Sequence, residues 1–272
     1  MGETSIRPPA VAGSFYPGTR AEAESRSRVL LARAERVLDG LTPRPHPKAL
    51  VVPHAGWRYA GDLAALGWQT LAPERGAITR VVVLGPTHRV AIHGVALPGS
   101  DFFATPLGTL PVPTAEVLEL TAGLPTPVTV DAQTHAEEHA IEVQVPFIQA
   151  VLGDVELVPL NAGAIDTDDL ADVIEALWGG PGTVVAVSSD LSHYLNDTTA
   201  RALDDDTIAR ILALEPVDHE RACGATPLDG LLEVCRRRGL TPRLLGTHTS
   251  GDVAGDHDRV VGYATFSIDE EA

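Results

Sequence analysis

The chain of 272 residues is 44% hydrophobic and 21% charged, a balance that supports a substantial buried core and argues against wholesale disorder. Its 20 basic and 37 acidic residues leave a net charge of −17, which would repel nucleic acid and anionic membrane surfaces. No basic-then-apolar N-terminal signal and no long apolar run occurs, so the expectation is a soluble cytoplasmic protein.

The opening "SIRPPAVAGSFYPG" is rich in proline and glycine and reads as irregular. A helix is predicted over about 20–38, rich in Ala, Glu, Arg and Leu, and "TPRPHP" (42–47) breaks it. "ALVV" (49–52) starts a strand, 59–71 reads as a helix, and "RVVVLG" (80–85) is a β-branched strand followed by turn residues. "GVALP" and "TLPVP" read as short strands around a loop, "GSDFFATPLG", with a short helix at 114–122. In "EEHAIEVQVPFIQAVL" (137–152) the apolar Ile141, Val145, Ile148 and Leu152 recur at helical spacing, and Pro146 either kinks that helix or marks its first turn. "VELVPL" (155–160) is a strand. The helix over 167–180 is capped by Thr167, carries Asp168 and Asp169 at its positive end, and is ended by Gly179. "TVVAVSS" (183–189) is a strand, followed by helices near 197–214 and 226–238 and strands near 241–248 and 259–267. This alternation predicts one α/β domain over residues 1–272, with a mostly parallel central sheet and helices on both faces. Sheets of this kind bind ligands outside the carboxyl ends of their strands.

Three apolar runs end in histidine: "VVPHAGW" (51–57), "VVVLGPTH" (81–88) and "VVAVSSDLSH" (184–193). His54 and His88 each follow a stiff turn at a strand end, where imidazole serves as a ligand for zinc, iron or copper or as a loop hydrogen-bonding group. Asp190 is placed to orient an imidazole, and His193 to act as ligand or general base, while Ser188, Ser189 and Asp190 would also start a helix well. In "HAEEHAIE", a helix would put His135 with His139, and Glu138 with Glu142, on shared faces. The pattern lacks the glutamate after its first histidine, so it is not the H-E-x-x-H zinc motif. It reads either as a solvated acidic helix start or as a segment that turns His139 to a pocket. Cys223, in "ERACGATP", is a metal ligand, a nucleophile or a small buried apolar residue; Cys235 fits the last role. Two cysteines are too few for a disulfide framework, and twelve residues apart on one helix they would be roughly 18 Å apart. His46, His93, His219, His248 and His257 lack a strand-tip context and read as loop or surface residues. No G-x-G-x-x-G, Walker A or G-x-S-x-G sequence supports nucleotide binding or a serine hydrolase.

Taken in order, "PPAVAGSFYPG", "VPHAGWRYAG", "LGPTH", "EEHAIEVQVPF", "SSDLSHY", "ACG" and "SGDVAGD…RVVGYA" resemble the Memo family, whose prokaryotic members are called AmmeMemoRadiSam system protein B. The resemblance runs from residue 8 to about 264. It implies a fold similar to the class III extradiol dioxygenases, which are non-haem Fe(II) enzymes. It also implies a metal site of His54, His88 and Cys223, with His193, Asp190 and His139 as pocket residues and His193 in the place of the dioxygenases' base. A thiolate in place of the dioxygenases' carboxylate favours copper or zinc over a purely oxygen-loving metal, and iron stays open. The functions implied are a redox or O2-dependent enzyme on an unknown small molecule, a non-catalytic metal-binding protein working beside radical SAM and AMMECR-type partners, or a zinc hydrolase. Two positions depart from the pattern: Trp57 stands where the family usually has Tyr, and Ala140 where it commonly has Ser. The first would change the shape of the pocket.

Overall fold

The computed structural model describes residues 4–40 and 47–269; most of the proline-rich break, with His46, lies outside them. After the short strand β1 (Ile6–Arg7), the Ala- and Glu-rich segment forms helix α1 (Arg20–Leu38), capped by the Thr19 hydroxyl on the Glu22 amide. β2 (Ala49–Val52), α2 (Trp57–Gln69) and β3 (Arg80–Pro86) follow. Next come β4 (Val95–Leu97), β5 (Phe102–Thr105), β6 (Gly108–Pro111), α3 (Thr114–Thr121), β7 (Thr129–Val130) and α4 (Ala132–Ala136). Then α5 (Val145–Val151), β8 (Glu156–Ala162), α6 (Thr167–Ala176), β9 (Thr183–Ser188) and β10 (His193–Leu195). The chain finishes with α7 (Asp197–Leu212), α8 (Ala225–Arg238), β11 (Thr241–Thr249), α9 (Ser250–Ala254) and β12 (Val260–Asp269).

The protein is a single α/β domain. At the centre of its main sheet β2, β9, β3 and β8 lie side by side in that order, all parallel. The flanks join it antiparallel: β12 pairs with β2 and carries β10 and β11, also antiparallel, while β4 pairs with β8 and carries β7, which runs parallel to β4. The sheet is therefore parallel at its centre and mixed overall. The reason at one edge is local, since β11 and β12 are joined by a short connection that suits only antiparallel pairing. The central strands are buried on both faces, which is why they read as unbroken apolar runs: Val81 to Leu84 and Val184 to Val187 are all inaccessible.

The connections explain the two covering layers. From β2 to β3 the chain steps across β9 in one direction; from β8 to β9 it steps across β3 in the other. Right-handed crossovers then place α2 and α6 on opposite faces. Accordingly α2 packs on α1 and α5, while α6 packs on α8, which covers β3 and β9. The predicted stripe of α6 is buried as expected, from Leu170 to Trp178. Asp166 rather than Thr167 takes its N-cap position, and it ends at Ala176, before Gly179. No helix among the described residues is long and apolar enough to cross a membrane.

Three further expectations are corrected. "GSDFFATPLG" is not a loop: β5 lies within it and forms a hairpin with β6, next to β1. Ser188, Ser189 and Asp190 do not cap a helix; β10 follows them, and α7 is capped by Asn196. Residues 137–152 are not one helix. Residues 137–139 are irregular and 140–144 are turns, and Pro146 sits in the first turn of α5. Glu138 Oε1 accepts the amides of His139 and Ala140 at 2.8 and 3.0 Å, and this local capture competes with a continuous helix.

Candidate functional site

The strand order places three carboxyl ends next to one another. β2 leads to His54, β9 to Ser188 and Asp190, and β3 to His88. Cys223 arrives from the loop before α8. Gly224 allows this: a Cβ there would lie 2.6 Å from the Ser189 side chain and 2.8 Å from the Ser188 carbonyl. Its amide instead donates to Ser189 Oγ at 3.0 Å, and the Cys223 amide donates to the Asp190 carbonyl at 3.3 Å.

His54 is 1% exposed, and its Nε2 lies 3.2 Å from Cys223 Sγ. Its Nδ1 is 3.1 Å from Ser188 Oγ. The Ser188 hydroxyl donates its one proton to the Ala140 carbonyl at 2.7 Å, so it accepts from His54 Nδ1–H and leaves Nε2 as a bare lone pair. Burial, reinforced by the neighbouring His139 and His88, holds this imidazole well below its ordinary pKa and therefore neutral.

Glu138 does the same for two further rings. Its Oε1 lies 2.9 Å from His88 Nδ1 and 3.1 Å from His139 Nδ1, and Oε2 accepts the His88 amide at 2.7 Å. Burial opposes the charge of Glu138, but the hydrogen bonds from His139 and His88 outweigh it and hold the carboxyl well below its usual range. A carboxylate only accepts, so both rings donate from Nδ1, and the neutral tautomer this selects is the one whose Nε2 is bare. Donor atoms of His54, His88 and Cys223 lie within 4.8 Å of one another, close enough to hold one metal ion. Burial, then the Asp190 carboxylate, pushes the Cys223 thiol up to about 12, which disfavours a free thiolate nucleophile.

Asp190 has a different task from the one expected. Its Oδ1 accepts the amides of His54 and Ala55 at 2.7 and 3.2 Å, so it fixes the turn that carries His54 rather than an imidazole. Burial raises its pKa. His193 opens β10 and faces a cavity of about 770 Å³ that His54, His88, His139 and Cys223 also line. His139 forms a wall: its ring centroid is 4.7 Å from that of His88, 5.2 Å from that of His54, and 4.5 Å from that of Phe15. His219, read from sequence as a loop residue, lines the cavity as well.

His135 is not part of this group. It is buried, and its Nε2 donates to the Ala96 carbonyl at 2.8 Å. Burial lowers its pKa from 6.5 to about 4. The folded state therefore resists protonation: the linked stability is complete above pH 6.5 and is lost as the pH falls toward 4, about 3 kcal/mol in all. In His135→Gln, which keeps an N–H for Ala96, urea unfolding at pH 7 and pH 4 should show that much less acid sensitivity than the parent. An identical pH slope in the two proteins would refute the assignment. Glu142 also turns away from Glu138, toward Arg7. Trp57, expected to shape the pocket, is buried against Phe147 at 4.2 Å between ring centroids and donates to the Val143 carbonyl.

The family profile described as Memo-like protein matches residues 7–267. The chain belongs to the Memo family. A MEMO1 family protein of Thermotoga maritima is 34% identical, with 94% of this chain and 97% of that protein covered. One from Methanopyrus kandleri is 33% identical over 96% of this chain and 98% of its own, and one from Sulfolobus acidocaldarius 32% identical over 95% and 97%. The Memo match thus spans the whole domain, from the proline-rich opening to β12. The histidines and cysteine that carry the Memo resemblance in sequence meet at one end of the sheet, over two residues that sequence reading had given other roles, Glu138 and Ser188 beneath the rings, and beside one it had not singled out, Phe15.

Proposed function

We propose that this Memo-family protein holds one transition metal ion, iron or copper, through His54 Nε2, His88 Nε2 and Cys223 Sγ, and uses the adjoining cavity for redox or O2-dependent chemistry on a small molecule. The observation that carries this reading is the convergence of these donor atoms within 4.8 Å while the Nδ1 atoms of both imidazoles are held from behind. Iron or copper would supply electron transfer and an open coordination position; zinc in the same ligands would supply Lewis acidity alone.

The chain's own residues supply the rest. Ser188 and Glu138 fix the tautomer and direction of the ligating rings. Asp190 holds the turn under His54. His193 stands at the cavity wall to take a proton from a bound hydroxyl and return it. His139 and Phe15 close one side of the cavity against water.

Elemental analysis of protein purified without air tests the reading. Iron or copper near one per chain, with O2 consumption on a panel of catechols, is the expected result. Zinc would keep the ligands and turn the chemistry toward hydrolysis. No bound metal after reconstitution would refute the proposal. Glu138→Gln should weaken metal binding roughly 10–100-fold in a chelator competition, because one amide oxygen cannot serve two imidazole N–H groups and the His88 amide as a carboxylate does. An unchanged affinity would count against this role for Glu138.

A further inference from the structure

The mouth of the same cavity carries an arginine whose position neither the metal cluster nor the fold explains. Arg259 is exposed and lines the cavity beside His193, His219 and Tyr194. Among the described residues no other arginine and no lysine lines it. Asp256 and Asp258 are its near neighbours in sequence, yet its guanidinium pairs with neither. Many other arginines of this acidic chain sit in ion pairs, Arg237 with four carboxylates. Arg259 instead lies over the ring of Tyr194, 5.0 Å from its centroid.

Tyr194 is held there at a cost. Its φ is +60°, a left-handed conformation that strains a bulky residue by about 1–3 kcal/mol. The register of β10 on β12 shifts between His193 and Leu195, a bulge of the kind that re-aims side chains beside sites. The outcome is an aromatic ring 64% exposed at a cavity mouth, carrying a guanidinium on its face. A guanidinium stacked in this way keeps its N–H groups free at the edges, in the fork geometry that matches a carboxylate or phosphate. Among the described residues no ion pair joins Arg259 to Asp190, Glu220 or Asp256, the acids that line the cavity. Asp190 serves two backbone amides, and Asp256 accepts the Asp258 amide.

We infer that Arg259, set by Tyr194, is the docking point for the carboxylate or phosphate of a small organic anion whose other end reaches the histidine cluster. This deepens the proposed function, since it rests on the cavity being a small-molecule site. It names the substrate class as anionic. A volume of about 770 Å³ suits a ligand of that size.

Titration calorimetry on the full chain with benzoate, phenyl phosphate and the neutral benzamide tests it. The anions should bind at least tenfold more tightly than benzamide. Arg259→Gln should abolish that advantage without changing benzamide binding, and Arg259→Lys should retain part of it. A preference between benzoate and phenyl phosphate assigns the head group. The measurement is made on metal-free protein and on Cys223→Ala, so a failure of metal binding bears on the proposed function alone and leaves anion docking to be read by itself. Absence of anion binding, equal binding of the anions and benzamide, or undiminished anion binding in Arg259→Gln would overturn the inference.

Discussion

Cys223→Ala should remove most of the metal affinity of this protein while leaving its fold in place. A structural zinc site of four ligands contributes about 10–16 kcal/mol, so one ligand is worth roughly 3–4 kcal/mol, or on the order of 10²–10³-fold in affinity. Cys223 sits before α8 rather than in it, and its backbone ties to Asp190 and Ser189 run through its own amide and that of Gly224. Those bonds survive the substitution. What the fold loses is Sγ, a weak acceptor for the Asp190 amide at 3.3 Å that also lies 3.2 Å from His54 Nε2. Metal titration should therefore change far more than thermal unfolding of the metal-free protein. Full metal occupancy in both Cys223→Ala and His54→Ala would sink the proposed ligand set.

Glu142→Ala has the largest expected effect on stability. Glu142 is fully buried, forms an ion pair with the buried Arg7, and accepts the Ala10 amide, the Val11 amide and the Tyr16 hydroxyl at 2.7, 3.0 and 2.8 Å. Removing the carboxylate leaves these donors without their acceptor and a guanidinium without its counter-charge, about 3–5 kcal/mol by the behaviour of broken buried pairs. In a domain of this size that lowers the midpoint of thermal unfolding by roughly 6–15 °C. The consequence reaches the cavity. The bonds of Glu142 fix residues 7–16, Phe15 lies against His139, and the Phe15 carbonyl accepts the Trp57 amide at the start of α2. Ligand affinity should fall together with stability. The pair Arg7→Met with Glu142→Leu should recover part of the stability, because no buried charge is then left uncompensated, while the Ala10 and Val11 amides and the Tyr16 hydroxyl still lack their acceptor. A loss below about 1 kcal/mol in Glu142→Ala would show that the pair contributes little.

Much of the site was legible because its ligands sit where local rules put them. His54 and His88 each end an apolar run that could only be a strand covered on both faces, and Pro, Gly and Thr around them mark the turn. The acidic segment before α5 was harder to read. Its helical spacing of apolar residues was genuine, but Glu138 and Glu142 found partners in different directions, one in two histidines and the other in the N-terminal segment. Buried charges with good partners overrode a weak helical preference. β5 and β10 were missed for a related reason. Short strands owe their existence to the neighbour they pair with, which no local window contains.

The residues themselves carried the fold class, the central strands and helices, the acidic charge and the identity of the metal-donor candidates, since burial on two faces, helical periodicity and turn chemistry are written locally along the chain. Packing alone decided which of those side chains meet. β9 slips between β2 and β3, bringing His54 and Cys223 together across 169 positions and His88 and Glu138 across 50. It also turned Asp190 to backbone amides, sent His135 into the core, and set Arg259 on Tyr194 at the cavity mouth. Each of these outcomes depends on hydrogen bonds and ring contacts between separate elements, whose geometry exists only once the sheet has assembled.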